Sequence, residues 1–371
     1  MNSLIPQPIA RQPWAMLIPL MLLVVFGAAV LYSAAGGSMQ PFAASHLLRF
    51  GIFLVMASII TMVPIEMVKF LTYPGYLAVL LLLLAVEIVG AIGGGSQRWL
   101  DLGPIVLQPS ELMKPMIVLV LARFFAGMPA GMIGSWQALA IPAALIGMPM
   151  GLVLMQPDLG TALAIAFGGA VVMLLAGLPM RWFVIGAGVA AVAAPLAFIF
   201  GLQEYQQRRV TTFLDPESDP LGAGYHITQS KIAIGSGGIT GKGFNNGSQS
   251  HLQYLPEPHT DFVFSTMAEE WGVVGGVFVL VVFALIMRWG WKVAIRSQDR
   301  FGRLLAGGMT ATIFFYVAIN LMMVMGLAPV VGIPLPFMSH GGSSMLTNML
   351  CIGTLMMVNR WNRETPRRGL G

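Results

Sequence analysis

The feature that most constrains this chain is a series of long apolar runs that contain almost no charged side chains. A helix that crosses a membrane needs roughly 20 apolar residues, and ten runs come close to that length or exceed it. Only 9% of the residues are Asp, Glu, Lys or Arg, whereas a soluble domain carries about 25%. This composition excludes a soluble enzyme and a disordered chain, and it predicts an all-α polytopic membrane protein with ten transmembrane helices. The predicted spans are 15–35, 47–65, 76–93, 111–126, 137–155, 159–180, 182–203, 262–287, 304–326 and 341–359.

The segment between the last two spans, residues 327–340, is also apolar but contains Pro329, Pro334 and Pro336. Proline lacks a backbone donor and breaks helices, so we predict a non-helical segment here, either re-entrant or a loop. Such backbone is tolerated at membrane depth only where protein or a water-filled cavity covers it. The first run, 15–35, is long enough to span and has no obvious cleavage context, so we interpret it as a helix rather than a signal peptide.

Basic side chains on the connections predict the orientation, because cytoplasmic loops of membrane proteins collect Lys and Arg. They are dense after the eighth span and in the tail: Arg288, Lys292, Arg296, Arg300, Arg303, Arg360, Arg363, Arg367 and Arg368. Both termini are therefore predicted to be cytoplasmic. Residues 204–261 then form one long extracytoplasmic loop between helices 7 and 8 of a single domain covering 1–371. The formal charge of +5 has the same explanation and does not indicate nucleic-acid binding.

An aspartate closes this outer loop where the eighth span begins. The segment Leu255-Pro-Glu-Pro-His-Thr-Asp261 places its carboxylate at the outer membrane surface, at or beside a helix N-terminus. One interpretation is an N-cap, since aspartate there accepts backbone N–H groups. The other is a functional carboxylate that accepts a proton or helps to hold a cation. Unperturbed histidine titrates near neutrality, but a lone histidine is more often a hydrogen-bonding partner, and we interpret His259 as such a partner rather than a catalyst.

Three further polar residues lie in or beside the predicted spans. Glu111 and Lys114 are spaced i, i+3 at the start of the fourth span, so they meet on one helical face. Isolated charges in a bilayer are costly; the pair therefore either neutralises itself and orients the helix, or faces a polar cavity. Asp158 follows Pro157 at an outer turn, where capping of the sixth helix is the simplest role.

Basic and glycine-rich segments on the outer side leave several roles open. Arg98, beside Trp99, either anchors the chain at the interface or contacts an anionic lipid headgroup. Gly235-Ser-Gly-Gly238 and Gly241-Lys-Gly243 match neither a P-loop nor the dinucleotide fingerprint, but they indicate a turn where backbone comes close to another group. Lys231 either meets a phosphate or is a solvated charge. The residues alone support a transporter or flippase with charges along a path, or an enzyme acting on a lipid-borne substrate from outside.

Several long motifs resemble one family of bacterial membrane proteins, the SEDS (shape, elongation, division, sporulation) family. They are residues 98–101, 108–111, 156–161, 214–238, 255–262 and 334–343. The likeness runs from the first span to the tenth, and the family shares the predicted ten helices and long outer loop. Residues 216–226 and 231–238 resemble the elongation members more than the division member FtsW. One departure is His340, where the family usually has tyrosine.

The resemblance implies a peptidoglycan glycosyltransferase of cell-wall elongation. Its substrate is lipid II, a disaccharide-peptide joined through diphosphate to an undecaprenyl chain. The resemblance implies Asp261 as the essential residue, which we interpret as the general base for the acceptor 4-hydroxyl, and it links Glu111 and Lys114 to activation by a partner. Cations would stabilise the departing diphosphate. The candidates are Arg98, Lys114, Arg208, Arg209 and Lys231, together with a divalent cation, Mg²⁺ or Mn²⁺.

The resemblance also implies a location and partners. The location is the bacterial cytoplasmic (inner) membrane, among its lipids. The expected partner is a class B penicillin-binding protein, because nothing in this chain resembles the transpeptidase that crosslinks new strands. Further expected partners are the elongation proteins MreC and MreD, and neither an organic cofactor nor nucleic acid is expected. A lipid II flippase and the division paralogue FtsW are the alternatives.

Overall fold

The computed structural model describes residues 12–93, 96–101, 106–201, 204–215, 223–252, 254–255 and 257–364. Within these ranges, ten helices are at least 18 residues long, and each overlaps one predicted span. The helices are α1 (Trp14–Ala34), α2 (Phe42–Met62), α3 (Ile65–Val89), α4 (Pro109–Gly127), α5 (Gln137–Met155), α6 (Leu159–Ala176), α7 (Met180–Phe200), α8 (Glu204–Leu214), α9 (Ala223–Ser236), α10 (Ser248–His251), α11 (Val263–Arg296), α12 (Arg300–Val324) and α13 (Gly342–Glu364). The chain is therefore mostly helical, as predicted.

Eight helices in the described ranges are long and apolar enough to cross a membrane, namely α1, α2, α3, α5, α6, α7, α11 and α12. Helices α4 and α13 fall outside that group. Helix α4 carries Glu111 and Lys114 and packs against α3, α6, α12 and α13. Its polar residues therefore face protein, where they cost less than against lipid. The chain is a multi-pass membrane protein.

The all-α prediction was wrong in one respect, and the outer loop is more ordered than predicted. Three short strands, β1 (Ala91–Gly93), β2 (Ser96–Asp101) and β3 (Val106–Leu107), form an antiparallel sheet between α3 and α4. Antiparallel neighbours need only short turns, so this connection can pair with itself locally. The region 204–261, predicted as one long loop, contains the helices α8, α9 and α10.

Residues 327–340 are non-helical, as the three prolines predict. The segment turns into the protein, where Leu335, Phe337 and Met338 are buried. Met338 packs against α1 so closely that a Cβ on Gly27 would lie 2.6 Å from its Cα. Protein therefore covers this irregular backbone, which is the condition for it to lie at membrane depth.

Helix α11, which the sequence predicts as one continuous span, is interrupted at Gly272. This glycine has φ 61° and ψ −155°, a conformation that side-chain-bearing residues essentially do not adopt. The interruption separates a short first portion, residues 263–271, from the long remainder, 273–296. We call residues 263–271 the upper segment of α11.

Candidate active site

Asp261 lies two residues before the start of α11, and it is half-buried. The interpretation of Asp261 as an N-cap was wrong by one position. The helix begins at Val263, so Phe262 occupies the N-cap and no side chain caps the helix there.

The backbone around Asp261 is fixed by two neighbouring elements. Asn320 of α12 donates from Nδ2 to the carbonyl oxygens of Asp261 (2.8 Å) and Ile333 (2.7 Å). Ser339 donates from Oγ to the carbonyl oxygen of Thr260 at 2.6 Å. A Cβ on Gly332 would lie 3.5 Å from Asp261 Oδ2, so the carboxylate stands over this glycine. The non-helical segment 327–340 thus forms one wall of the site.

Two histidines and an arginine occupy the adjoining space. The His259 ring stacks on Phe42 with centroids 3.9 Å apart, and the His340 N–H donates to the carbonyl of His259 at 2.8 Å. His340 Nε2 lies 2.9 Å from Ser45 Oγ and 3.1 Å from Arg49 Nη1. Sequence reasoning missed Arg49, although a charge inside the second predicted span was a signal for it.

Burial keeps both imidazoles neutral around pH 7. Burial lowers the pKa of His340 to about 4, with further lowering from Arg49 and His259. Burial also lowers the pKa of His259, against an opposing effect of the Glu257 carboxylate, whose Oε2 lies 3.5 Å from its Nε2. Because neutral His340 can accept at Nε2, it holds the Arg49 guanidinium in place by a hydrogen bond.

Glu111 and Lys114 meet on one face of α4, as their spacing predicts. Lys114 Nζ lies 2.5 Å from Glu111 Oε1 and donates to the Tyr316 hydroxyl at 2.7 Å. Tyr316 in turn donates to Glu111 Oε2 at 2.5 Å, so the three groups form a closed, buried cluster between α4 and α12. Their roles in substrate binding or activation stay predictions.

This cluster lies beneath the carboxylate site. Tyr316 and Asn320 are spaced i, i+4 on α12, so they share a face and are separated by about 6 Å along the axis. Asn320 binds the backbone of Asp261, and Tyr316 binds Glu111 one turn deeper. One face of α12 thus connects the outer site to the buried ion pair.

Arg98 and Asp158 meet at the turn between α5 and α6. Asp158 is the N-cap of α6, with Oδ1 accepting from the Thr161 N–H at 3.1 Å, which is the capping role that the sequence suggested. Arg98 donates to the carbonyl oxygens of Gln156 and Pro157, and its Nη1 lies 3.9 Å from Asp158 Oδ2. These contacts anchor strand β2 to the turn; substrate binding by Arg98 stays a prediction.

The other predicted cations lie on helices α8 and α9. Lys231 is exposed on α9 and lies against the end of α12, where a Cβ on Gly326 would be 2.4 Å from its Cε. Arg208 and Arg209 belong to α8, and their side chains lie outside the described part of the chain. Among the residues described, no group of three or more His, Cys, Asp or Glu could hold a metal ion. The described side chains therefore do not fit a cation held by protein ligands alone.

The glycine-rich segment packs its backbone against the interruption of α11. A Cβ on Gly237 would be 2.0 Å from the carbonyl oxygen of Ala268, and one on Gly241 would be 2.0 Å from that of Glu270. The predicted close approach of backbone is thus confirmed, and its partner is the broken helix. Sequence reasoning missed the buried carboxylate of Glu269, although an acid inside the eighth predicted span was a signal for it.

A bundle of apolar helices with a half-buried carboxylate held at one end defines a class: multi-pass membrane proteins with a polar site at one end of the helix bundle. The chain belongs to the family described as cell cycle protein, the FtsW, RodA and SpoVE family, whose profile matches residues 12–364.

Relatives of this chain carry glycosyltransferase names. It is 44% identical over 349 residues to the peptidoglycan glycosyltransferase MrdB of Escherichia coli strain K12, covering 93% of this chain and 92% of that protein. It is 38% identical over 301 residues to a probable peptidoglycan glycosyltransferase FtsW of Synechocystis, covering 80% and 75%. The identity is thus higher to MrdB than to this FtsW.

Two solved structures share the fold. One is a chain of a peptidoglycan synthase complex described as coordinating polymerization and crosslinking. It is 33% identical, with a TM-score of 0.82, and 96% of this chain matches 99% of that one. The other is the rod shape determining protein RodA of Thermus thermophilus, 30% identical with a TM-score of 0.73 and the same coverage.

Proposed function

We propose that this protein is a peptidoglycan glycosyltransferase of the bacterial cytoplasmic membrane, which polymerises lipid II with Asp261 as general base. The observation that carries the proposal is the clamped position of Asp261. Its backbone and that of Thr260 are held by Asn320 and Ser339, while the half-buried carboxylate stands over Gly332. A base held by rigid elements can meet a hydroxyl repeatedly in one geometry, which is the condition for efficient proton transfer.

The chemistry needs one base and a stabilised leaving group. The 4-hydroxyl oxygen of the acceptor lipid II attacks the anomeric carbon of the donor strand, and its proton passes to Asp261. The bond from that carbon to the diphosphate oxygen breaks, and undecaprenyl diphosphate leaves with the electron pair. One direct displacement inverts the anomeric configuration, by analogy with inverting glycosidases. A lipid-bound leaving group also explains why the base belongs at the membrane surface.

Cations stabilise the negative charge that develops on the diphosphate. Lys231 on α9 supports this role because it is exposed beside the outer end of α12. Arg49 supports it because its guanidinium lies at His340, whose backbone binds the loop that ends at Asp261. The divalent cation, Mg²⁺ or Mn²⁺, stays a prediction, and no step here depends on it.

We also propose that all ten long helices cross the membrane, with both termini in the cytoplasm. Helices α4 and α13 are supported as spans by their packing among apolar helices, α4 on α3, α6 and α12, and α13 on α2 and α12. Residues of α4 and α13 that face other helices do not contact lipid, so they do not need to be apolar. The orientation rests on the basic residues that follow α11 and end the chain.

A class B penicillin-binding protein is the proposed partner. The solved peptidoglycan synthase complex that contains a chain similar to this one coordinates polymerization and crosslinking, which supports a crosslinking partner for this chain. MreC and MreD stay predicted partners of the same assembly.

Polymerisation of labelled lipid II by the purified protein, with and without the penicillin-binding protein, tests the proposal. Wild type should produce long glycan strands, and Asp261→Asn should lose about 10²–10⁴-fold in rate, the usual contribution of a general base. Glu66→Gln is the matched control, because Glu66 is an exposed carboxylate that pairs with Lys69 at the start of α3. Equal polymerisation by Asp261→Asn would reject the base assignment, whereas lipid II crossing a vesicle bilayer unconsumed would favour a flippase.

A further inference from the structure

An ion pair joins the loop before α11 to the upper segment of α11. Lys242 Nζ lies 2.6 Å from Oε1 of Glu269, whose side chain is completely buried. Ser248 donates to the same oxygen at 2.9 Å, and the Gln249 N–H lies 3.1 Å from both carboxylate oxygens. This carboxylate therefore ties the loop on either side of residues 243–247 to the upper segment of α11. None of these contacts belongs to the site around Asp261.

The loop also replaces backbone hydrogen bonds that α11 lacks at its interruption. In a continuous helix the N–H groups of Val273 and Val274 would donate to the carbonyls of Glu269 and Glu270. Here those two N–H groups donate instead to Gly238 (3.0 Å) and to the carbonyl of residue 239 (3.1 Å). The vacated carbonyls of Glu269 and Glu270 accept from the N–H groups of residues 242 and 243, each at 3.0 Å. The loop backbone thus supplies the hydrogen-bond donors and acceptors that the helix itself would supply if it were continuous.

The consequence is that the upper segment of α11 is connected mechanically to the loop. Two helical hydrogen bonds across Gly272 are absent. The orientation of residues 263–271 is therefore not fixed by the helix axis of residues 273–296. The upper segment is about 13 Å long, begins next to Asp261 and ends at the ion pair. Ser265 near its start is also held by the loop side, with its Oγ 2.7 Å from Ser230 Oγ of α9.

We propose that Lys242 and Glu269 are positioning residues that hold the upper segment, and with it the Asp261 carboxylate, in its catalytic position. The inference rests on the proposed function of Asp261 and deepens it. A displacement of about 1 Å of a catalytic group can cost about 10²-fold in rate. Loss of the ion pair should therefore reduce turnover more than it reduces substrate binding.

The experiment measures initial rates of lipid II polymerisation by the full-length protein against substrate concentration and pH. Lys242→Met should lower kcat about 10- to 100-fold, leave KM within about twofold, and shift the acid limb of the pH profile, because the carboxylate has moved. Lys242→Arg should restore most of the rate, since it can still bind Glu269. The matched control is Lys292→Met, the same change at an exposed lysine on the opposite part of α11, which should behave as wild type.

A second variant covers failure of Lys242→Met to fold, because that change leaves a buried carboxylate without its cation. Lys242→Met combined with Glu269→Gln removes both charges, and it should melt near wild type but polymerise about tenfold more slowly. Wild-type turnover by either variant would overturn the inference, as would a loss that only follows the amount of folded protein with an unchanged pH profile. An inactive wild type in the same assay would instead reject the proposed function.

Discussion

The buried cluster of Glu111, Lys114 and Tyr316 offers the sharpest test of what holds the bundle together. The Lys114 side chain is 1% exposed and that of Glu111 is 10% exposed, so both charges have left water. Lys114→Met removes the ammonium group that lies 2.5 Å from the Glu111 carboxylate. Of the two groups that contact this carboxylate in the cluster, the Tyr316 hydroxyl then remains as the hydrogen-bond donor. Breaking a buried pair from one side costs about 3–5 kcal/mol, and we expect the free energy of unfolding to fall by about that amount.

Removing both charges should cost less than removing one. Glu111→Leu with Lys114→Met eliminates the uncompensated charge but leaves the Tyr316 hydroxyl without its two partners, at a cost of about 1–3 kcal/mol. Adding Tyr316→Phe removes that orphaned hydroxyl, so the triple variant should return close to wild-type stability. The order of stability is therefore wild type and triple variant, then double variant, then Lys114→Met.

Equilibrium unfolding in mixed dodecylmaltoside–SDS micelles, followed by tryptophan fluorescence, measures this order. Glu364→Gln is the control, because it breaks an ion pair with Arg360 whose partners are 45% and 59% exposed. Such exposed pairs contribute about 0–1 kcal/mol. If the free energy of unfolding instead fell further with each added substitution, from Lys114→Met to the double and then the triple variant, the reasoning would be refuted. The three groups would then not act as one buried network.

Two further predictions concern the outer surface. The pKa of His340 is about 4 in the folded protein and about 6.5 when unfolded, so the unfolded chain binds more protons between these values. The contribution of neutral His340 to the free energy of unfolding is thus complete above pH 6.5 and decreases as the pH drops towards 4. A His340→Gln variant should lose this part of the pH dependence in thermal melts, and an unchanged slope would contradict the assignment. Asp158→Ala should cost about 0.5–2 kcal/mol through the lost cap of α6, whereas Asp158→Asn, which still caps, should cost less; equal losses in unfolding titrations would exclude a capping role.

Local spacing was enough to predict several parts of the molecule. The ten apolar runs predicted the ten long helices, because burial in lipid demands continuous apolar length. The i, i+3 spacing predicted the contact of Glu111 with Lys114, and the prolines of residues 327–340 predicted a non-helical segment. Each of these depends on neighbours within one helical turn or one element, so the information lies in adjacent residues.

The tertiary structure alone decided which distant groups meet. Tyr316 completes the Glu111–Lys114 cluster from 205 residues away, and Lys242 reaches Glu269 across 27 residues. The interruption at Gly272 was invisible in an apolar run, because glycine is common in membrane helices and the helix breaks only where another backbone replaces its hydrogen bonds. The shortage of charge thus determined that the chain enters a membrane. The packing of the outer loop against α11 and α12 determined where its carboxylates lie, since only packing brings such separated segments together.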